Sequence, residues 1–204
     1  MLEGQALLDA IPEISPISIG SLFFRTVPLK YASSVQSVEG ARLSGGRFNP
    51  PKALAESACA IKDGFGLLYT ASNPITCLFE CGHILRGLGA SDFQPVPVEP
   101  TLLVAFKVQA ENVLDLRSPA TQRKLATSSA DLLSLDLRAI LNHRGSLTPL
   151  QKLGTAIHQT AAFSGILTPS RFNDVIPSFC FDFFPNKVRL DVHDTHRLLS
   201  QPPA

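Results

Sequence analysis

Ser44-Gly45-Gly46-Arg47-Phe48-Asn49 (residues 44–49) is poor core material: two glycines, an arginine, an aromatic ring and an amide lie close together. Glycine permits backbone conformations closed to other residues and lets main-chain N–H groups approach a ligand. The Arg47 guanidinium adds a planar fork that suits phosphate or carboxylate. Taken alone, the stretch reads more simply as a turn with an exposed arginine. Its meaning therefore depends on what the rest of the chain supplies beside Arg47.

The chain has 204 residues, of which 45% are hydrophobic and 17% charged, with a net charge of +1. This length favours one domain with at most small appendages, and the composition supports a sizeable core. Near-zero net charge argues against nucleic-acid binding through a broad basic face, while leaving room for a local anion site. Cys59, Cys77, Cys81 and Cys180 read as reduced, buried thiols of a cytoplasmic protein. A zinc site built on Cys77, Cys81 and His83 lacks a nameable fourth ligand, so no metal is expected. Met1 to Ile19 holds Glu3 and no basic run, unlike a signal peptide. No uninterrupted apolar stretch of about 18 residues suggests a membrane span. Sixteen prolines and thirteen glycines imply punctuated loops rather than a helical bundle.

In chain order, residues 2–11 suggest a short amphipathic helix, and 21–27 a strand rich in aromatic and β-branched residues. Arg25 inside that strand points either to water from an edge or into a cleft. Residues 30–50 read as a long polar loop, 53–62 as a helix and 66–71 as a buried strand. Asn73-Pro74 is a helix start, with a capping side chain before proline at the first helical position. That helix is expected to run to about Leu85 and to end at Gly87 or Gly89. Glu80 lies on it among apolar neighbours, facing solvent or lining a pocket. Residues 91–100 form a connection, 102–108 and 112–116 a pair of strands, and 119–127 and 131–142 helices. Thr148-Pro149 starts another helix, to about Phe163. Residues 165–171 give a short strand and turn, and 179–184 with 187–192 a final hairpin. The tail after Asp194 suggests a short helix. The irregular mixture reads as α+β, a single domain with mixed and antiparallel sheets flanked by helices.

Arg25, Gly45-Gly46-Arg47-Phe48-Asn49-Pro50, Leu68-Tyr69-Thr70-Ala71 and Glu80 share a fixed order with Leu153-Gly154-x-Ala156-Ile157 and Ser164-Gly165-Ile166-Leu167-x-Pro169-Ser170-Arg171. The pattern covers about residues 20–190 and resembles the RES domain family. The resemblance implies an ADP-ribosyltransferase-like fold over residues 20–192, with residues 1–19 as an N-terminal extension and 193–204 as a tail. It implies a toxin of a toxin–antitoxin pair that consumes NAD+. Glu80, Arg25 and Tyr69 are the implied catalytic residues, and Arg47, Gly45, Gly46, Asn49, Ser170 and Arg171 the substrate-binding ones. NAD+ is then a consumed substrate and not a cofactor, with inorganic phosphate as a candidate co-substrate. The implied partner is an antitoxin with a helix-turn-helix domain that covers the active site, so that DNA is reached only through it. Relative to compact members, residues 52–65 add a helix-like insert between Arg47 and Tyr69.

The chemistry is consistent with these residues. Cleavage of the nicotinamide–ribose bond passes through an oxocarbenium-like state. It needs an anion site for pyrophosphate, a flat wall for the base and a carboxylate near the ribose. Arg47, Gly45-Gly46 and Arg25 suit the first, Tyr69 the second and Glu80 the third. Ser170 suits a phosphate or the nicotinamide amide, and Arg171 a second anion site. The chain has no Gly-x-Gly-x-x-Gly fingerprint of a hydride-carrying dinucleotide site. His143, His158, His193 and His196 have no triad partners, and Ser44 has no base beside it. Two other readings use the same residues: ADP-ribosyl transfer to a protein target, and a non-catalytic module that binds a nucleotide or partner.

Overall fold

The longest described strand, from Thr101 to Asp115, is the spine of the molecule: 15 residues paired with three other strands. The computed structural model describes residues 1–86, 93–96, 99–134, 146–174 and 176–198. Eight strands are described: β1 (Ile17–Pro28), β2 (Leu68–Ala71), β3 (Ile84–Arg86), β4 (Phe93–Pro95), β5 (Thr101–Asp115), β6 (Gly165–Pro169), β7 (Phe179–Phe183) and β8 (Arg189–Leu198). Seven helices are described: α1 (Gly4–Ala10), α2 (Glu39–Ser44), α3 (Lys52–Cys59), α4 (Pro74–Glu80), α5 (Pro119–Lys124), α6 (Ser129–Ser134) and α7 (Pro149–Thr160).

The main sheet runs β1-β2-β7-β6-β5-β8, and β1 also pairs with β5. The ladder therefore closes into a circuit of β1, β2, β7, β6 and β5, with β8 added outside it. Every pairing is antiparallel except β5–β6. Phe23, Leu68, Val104, Phe106, Leu167, Phe181 and Phe183 form one core cluster of this circuit. A second cluster joins Leu7 and Ile11 to Phe48, Leu67, Leu114, Leu153 and Ile157. The mixed α+β reading of the sequence matches this architecture.

Several expected boundaries move. The pair of strands at 102–108 and 112–116 is one strand, because Asn112 adopts a left-handed conformation (φ 55°) that lets the ladder continue where a turn was expected. Residues 179–184 and 187–192 are not a hairpin. The 3-10 turn Pro185–Lys187 separates β7, which lies between β2 and β6, from β8, which lies on β5. The difference follows burial: β7 is buried along nearly its whole length, whereas β8 is exposed and suits an edge. The tail helix expected after Asp194 is instead the continuation of β8 to Leu198. Residues 1–19, read as an extension, supply Leu7, Ile11 and Ile14 to the core. The 30–50 loop contains a 3-10 turn and α2, and the expected insert is α3. Residues 93–95, read as part of a connection, form β4 against β3. The expected helix over 131–142 appears as α6, and its remainder lies outside the described residues, as do Gly87, Gly89 and His143.

Helix α4 starts as the sequence suggests, with the Asn73 side chain accepting from the Ile75 amide at 2.8 Å. It ends sooner, at Glu80 rather than near Leu85. Gly82 takes φ 73°, its N–H reaches the Phe79 carbonyl, and the His83 N–H reaches the Leu78 carbonyl. This pair of bonds closes a helix through a left-handed glycine, and it places Glu80 at the helix end. Helix α7 is capped by Thr148 and Gln151 acting reciprocally. Its Gly154 lies against the Phe48 carbonyl, where an added Cβ would stand 1.7 Å from that oxygen. The 44–50 segment thus rests directly on the backbone of α7. Gly154→Ala is expected to destabilise the fold by about 1–3 kcal/mol through overpacking, measured as a lowered urea midpoint.

Candidate active site

A cavity of about 240 Å³ opens between the 44–50 segment, β2, α4 and β7. Its walls include Gly45, Gly46, Arg47, Tyr69 and Glu80, five of the nine residues singled out from the sequence. They converge because the 44–50 segment crosses both β2 and α7. The crossing combines hydrogen bonds with close glycine packing.

Tyr69 ties the segment to the sheet. Its hydroxyl donates to Asn49 Oδ1 at 2.6 Å and accepts from the Phe48 amide at 3.1 Å. Burial, with the nearby Asp182 charge, pushes its phenol well above the usual tyrosine value, so it remains a neutral donor. Gly46 packs against this ring so closely that a Cβ would lie 2.3 Å from the hydroxyl. Asn49 is fully buried. Its Nδ2 donates to the Ala41 carbonyl at 2.7 Å and the Phe65 carbonyl at 3.3 Å. Asn49 thus braces the loop and does not line the cavity. Gln151 reaches from α7 to the Gly46 and Asn49 carbonyls at 3.2 and 3.4 Å.

The Gly45 and Gly46 amides are both engaged within the protein, with the Ala41 and Asn49 carbonyls at 2.8 Å each. The group this segment leaves to meet a negative charge is therefore the Arg47 guanidinium. Half-buried Arg47 donates to Thr168 Oγ1 at 3.3 Å and to the Leu132 carbonyl. Its guanidinium lies 5.5 Å from the Phe48 ring centre. Arg25 is not among the cavity-lining residues. It donates to the Val35 and Ser37 carbonyls at 3.2 and 2.9 Å and so fixes the chain that leads into α2.

Glu80 and Ser170, 90 residues apart in sequence, meet at 2.7 Å, the Ser170 hydroxyl donating to Oε1. The same hydroxyl accepts from the Phe172 amide at 3.1 Å. Arg171 Nε stands 3.8 Å from Glu80 Oε2, with side-chain exposures of 48% and 24% for arginine and glutamate. A half-exposed pair at this distance contributes little to stability, but it holds a cation over the carboxylate. A carboxylate at a helix C-terminus faces the negative end of the helix dipole; the serine and arginine offset that placement.

The sequence reading missed Asp182. This residue sits on β7 opposite Tyr69, is 2% exposed, and lines the cavity. Burial pushes its carboxyl up to about 7; Glu80 adds to the rise, while Arg47 and the Thr70 amide oppose it. The available signal was a single charge inside Phe179-Cys180-Phe181-Asp182-Phe183-Phe184. Three thiols also line the cavity. A hydrogen bond from Cys77 lowers Cys81 to about 7, and burial raises Cys180. Cys81 is exposed, unlike the buried thiol expected. His158 stacks on Phe65 at 4.3 Å as a packing residue. Among the described residues no group of three or more His, Cys, Asp or Glu is arranged to hold a metal. No described helix is long and apolar enough to cross a membrane.

The family model for the RES domain matches residues 22–200. The chain belongs to the RES domain family. No curated protein matches it. Among solved structures, it is similar to a chain of the crystal structure of the M. tuberculosis MbcT-MbcA toxin-antitoxin complex. The TM-score is 0.66, with 19% identity over 96% of this chain and 93% of that one. At that identity the likeness concerns the fold, and it extends over nearly the whole RES domain described above.

In this RES domain, Asp182 carries a stability cost. Its folded-state value is raised, so between the ordinary carboxylate range and about pH 7 the folded state binds more protons than the unfolded chain. Stability therefore falls as pH rises through that window. Asp182→Asn is expected to raise Tm at pH 8, a gain on the order of a few kcal/mol, and to give no gain near pH 4. Paired thermal melts at the two pH values measure it.

Proposed function

We propose that this RES domain is the toxin of a toxin–antitoxin pair and consumes NAD+ by cleaving the nicotinamide–ribose bond. The observation that carries this reading is the Glu80–Ser170 contact beside a cavity whose other wall presents Arg47. As the carbon–nitrogen bond breaks, its electron pair leaves with nicotinamide, which departs neutral and needs no general acid. Positive charge then develops at the anomeric carbon. Glu80, held in place by Ser170, faces that charge in a partly desolvated wall, where such stabilisation is strongest. Arg47 binds the pyrophosphate. Phosphate or water then adds through an oxygen and gives up a proton, with Arg171 as the anion site when the acceptor is phosphate. NAD+ is a substrate in this scheme and not a resident cofactor.

The cavity volume bears on how the dinucleotide sits. Pockets that enclose a drug-sized ligand run from roughly 300 Å³ upward, and this one holds about 240 Å³. It suits the nicotinamide end, leaving the adenosine half outside.

The partner is an antitoxin, expected to carry a helix-turn-helix domain and to cover the mouth. Helices α2 and α4 both contribute to the cavity wall, and they also carry the exposed apolar residues Leu43 and Ile75. Large exposed apolar side chains on helices that also wall the cavity suit a covering partner.

Purified protein is expected to release nicotinamide from NAD+, with or without added phosphate. Glu80→Gln should lower kcat by about 10²–10³-fold and relieve growth arrest on expression, whereas Arg47→Ala should chiefly raise KM. NAD+ left intact under both conditions defeats the proposal, and ADP-ribose adducts on a protein, seen by mass spectrometry, redirect it to protein modification. Replacing both Leu43 and Ile75 by aspartate should leave NAD+ turnover in place but weaken neutralisation by a co-expressed antitoxin.

A further inference from the structure

Three charged side chains line the cavity, and two of them are well provided for. Arg47 is held by Thr168 and Leu132, and Glu80 by Ser170 and Arg171. Asp182 is the exception. It is 2% exposed, takes a hydrogen bond from the Thr70 amide, and receives none from any side chain among the described residues. An ionised carboxylate offers about four acceptor sites, so most of its capacity is unused within the protein. Burying such a group is costly unless something donates to it. In the same lining, Arg47 acts on it only through its charge, the Tyr69 hydroxyl is committed to Asn49, and Ala71, Cys77 and Cys180 are apolar or weak donors.

This wall fits one kind of ligand end: flat, compact, uncharged or cationic, and bearing N–H donors. A ligand carboxylate set against Asp182 would face its charge and that of Glu80 in a medium that screens charge poorly, and the single nearby cation, Arg47, offsets the two only in part. We propose that Asp182 selects the carboxamide form of a pyridine nucleotide over its carboxylate form, accepting a hydrogen bond from the amide NH2 and repelling the acid. The proposal rests on the NAD+ reading above and adds a specificity-determining residue to it. It also orients the substrate: the pyridinium ring points toward the two carboxyls, and the pyrophosphate stays outward with the arginines.

The test compares NAD+ with its deamidated analogue, in which a carboxylate replaces the carboxamide. Native protein and Asp182→Asn are assayed at pH 8. The native protein is expected to prefer NAD+, and Asp182→Asn to lower the ratio of the two kcat/KM values by about tenfold or more, chiefly through a gain on the acid. A second arm needs no turnover: free nicotinamide should raise the Tm of the native protein more than free nicotinate does, and the difference should shrink in Asp182→Asn. Melting of the variant alone confirms that it is folded. An unchanged kcat/KM ratio in the folded variant overturns the proposal while the NAD+ reading stands. NAD+ left untouched by the native protein defeats that reading instead, and the two Tm shifts then decide the role of Asp182: equal shifts reject it, unequal shifts that converge in the variant support it.

Discussion

The hydrogen bond from the Tyr69 hydroxyl to Asn49 Oδ1, 2.6 Å long, is the constraint on which the site depends. A loop cannot present an arginine reproducibly unless its backbone is fixed. Here the fixing is done from two sides. Tyr69 anchors the loop to the closed strand circuit, and Gln151 and Gly154 seat it on α7. The string of small and polar residues at 44–49 is thus mostly occupied in holding itself, while the Arg47 side chain reaches the cavity wall. Buried polar networks of this sort stabilise only when each member is satisfied, as Asn49 is.

Glu80 illustrates a complementary arrangement. Its helix ends at Glu80 itself, closed through the left-handed Gly82. The carboxylate sits where the helix dipole disfavours it, and a serine and an arginine from the loop after β6 restore the balance. Binding energy drawn from two distant chain segments is thereby concentrated on one group. Asp182 adds a second carboxyl to the same cavity, one whose burial raises its own pKa. Two carboxyls in unlike surroundings can serve unlike purposes in one site.

Much of this was legible in the residues themselves. Local signals read correctly: the Asn73-Pro74 and Thr148-Pro149 helix starts appear as capped ends, because capping is decided within four residues. The residues that approach the cavity could be named because they depart from core chemistry. What depended on non-local choice did not read. Partner selection by β7 and β8 is set by which strand is buried, and adjacency in sequence suggested a hairpin that burial overrules. That Asn49 is buried and hydrogen-bonded within the loop could not be read either, because an exposed amide and a buried one are the same letter. Asp182 was hidden by its apolar neighbours, and only the circuit of strands reveals that its side chain reaches the cavity.

The strand that lies outside that circuit has a consequence of its own. Among the described residues, β8 covers one side of β5 and has no strand on its own far side in the sheet order, so it stands as the edge of the described sheet. Along it run Arg189, Asp191, His193, Asp194, His196 and Arg197, nearly all exposed. Such a dense row of mixed charge makes strand addition by a second chain unfavourable. The described sheet therefore ends in an electrostatic fence, which disfavours growth of the closed ladder along this edge and leaves association to be decided at other faces.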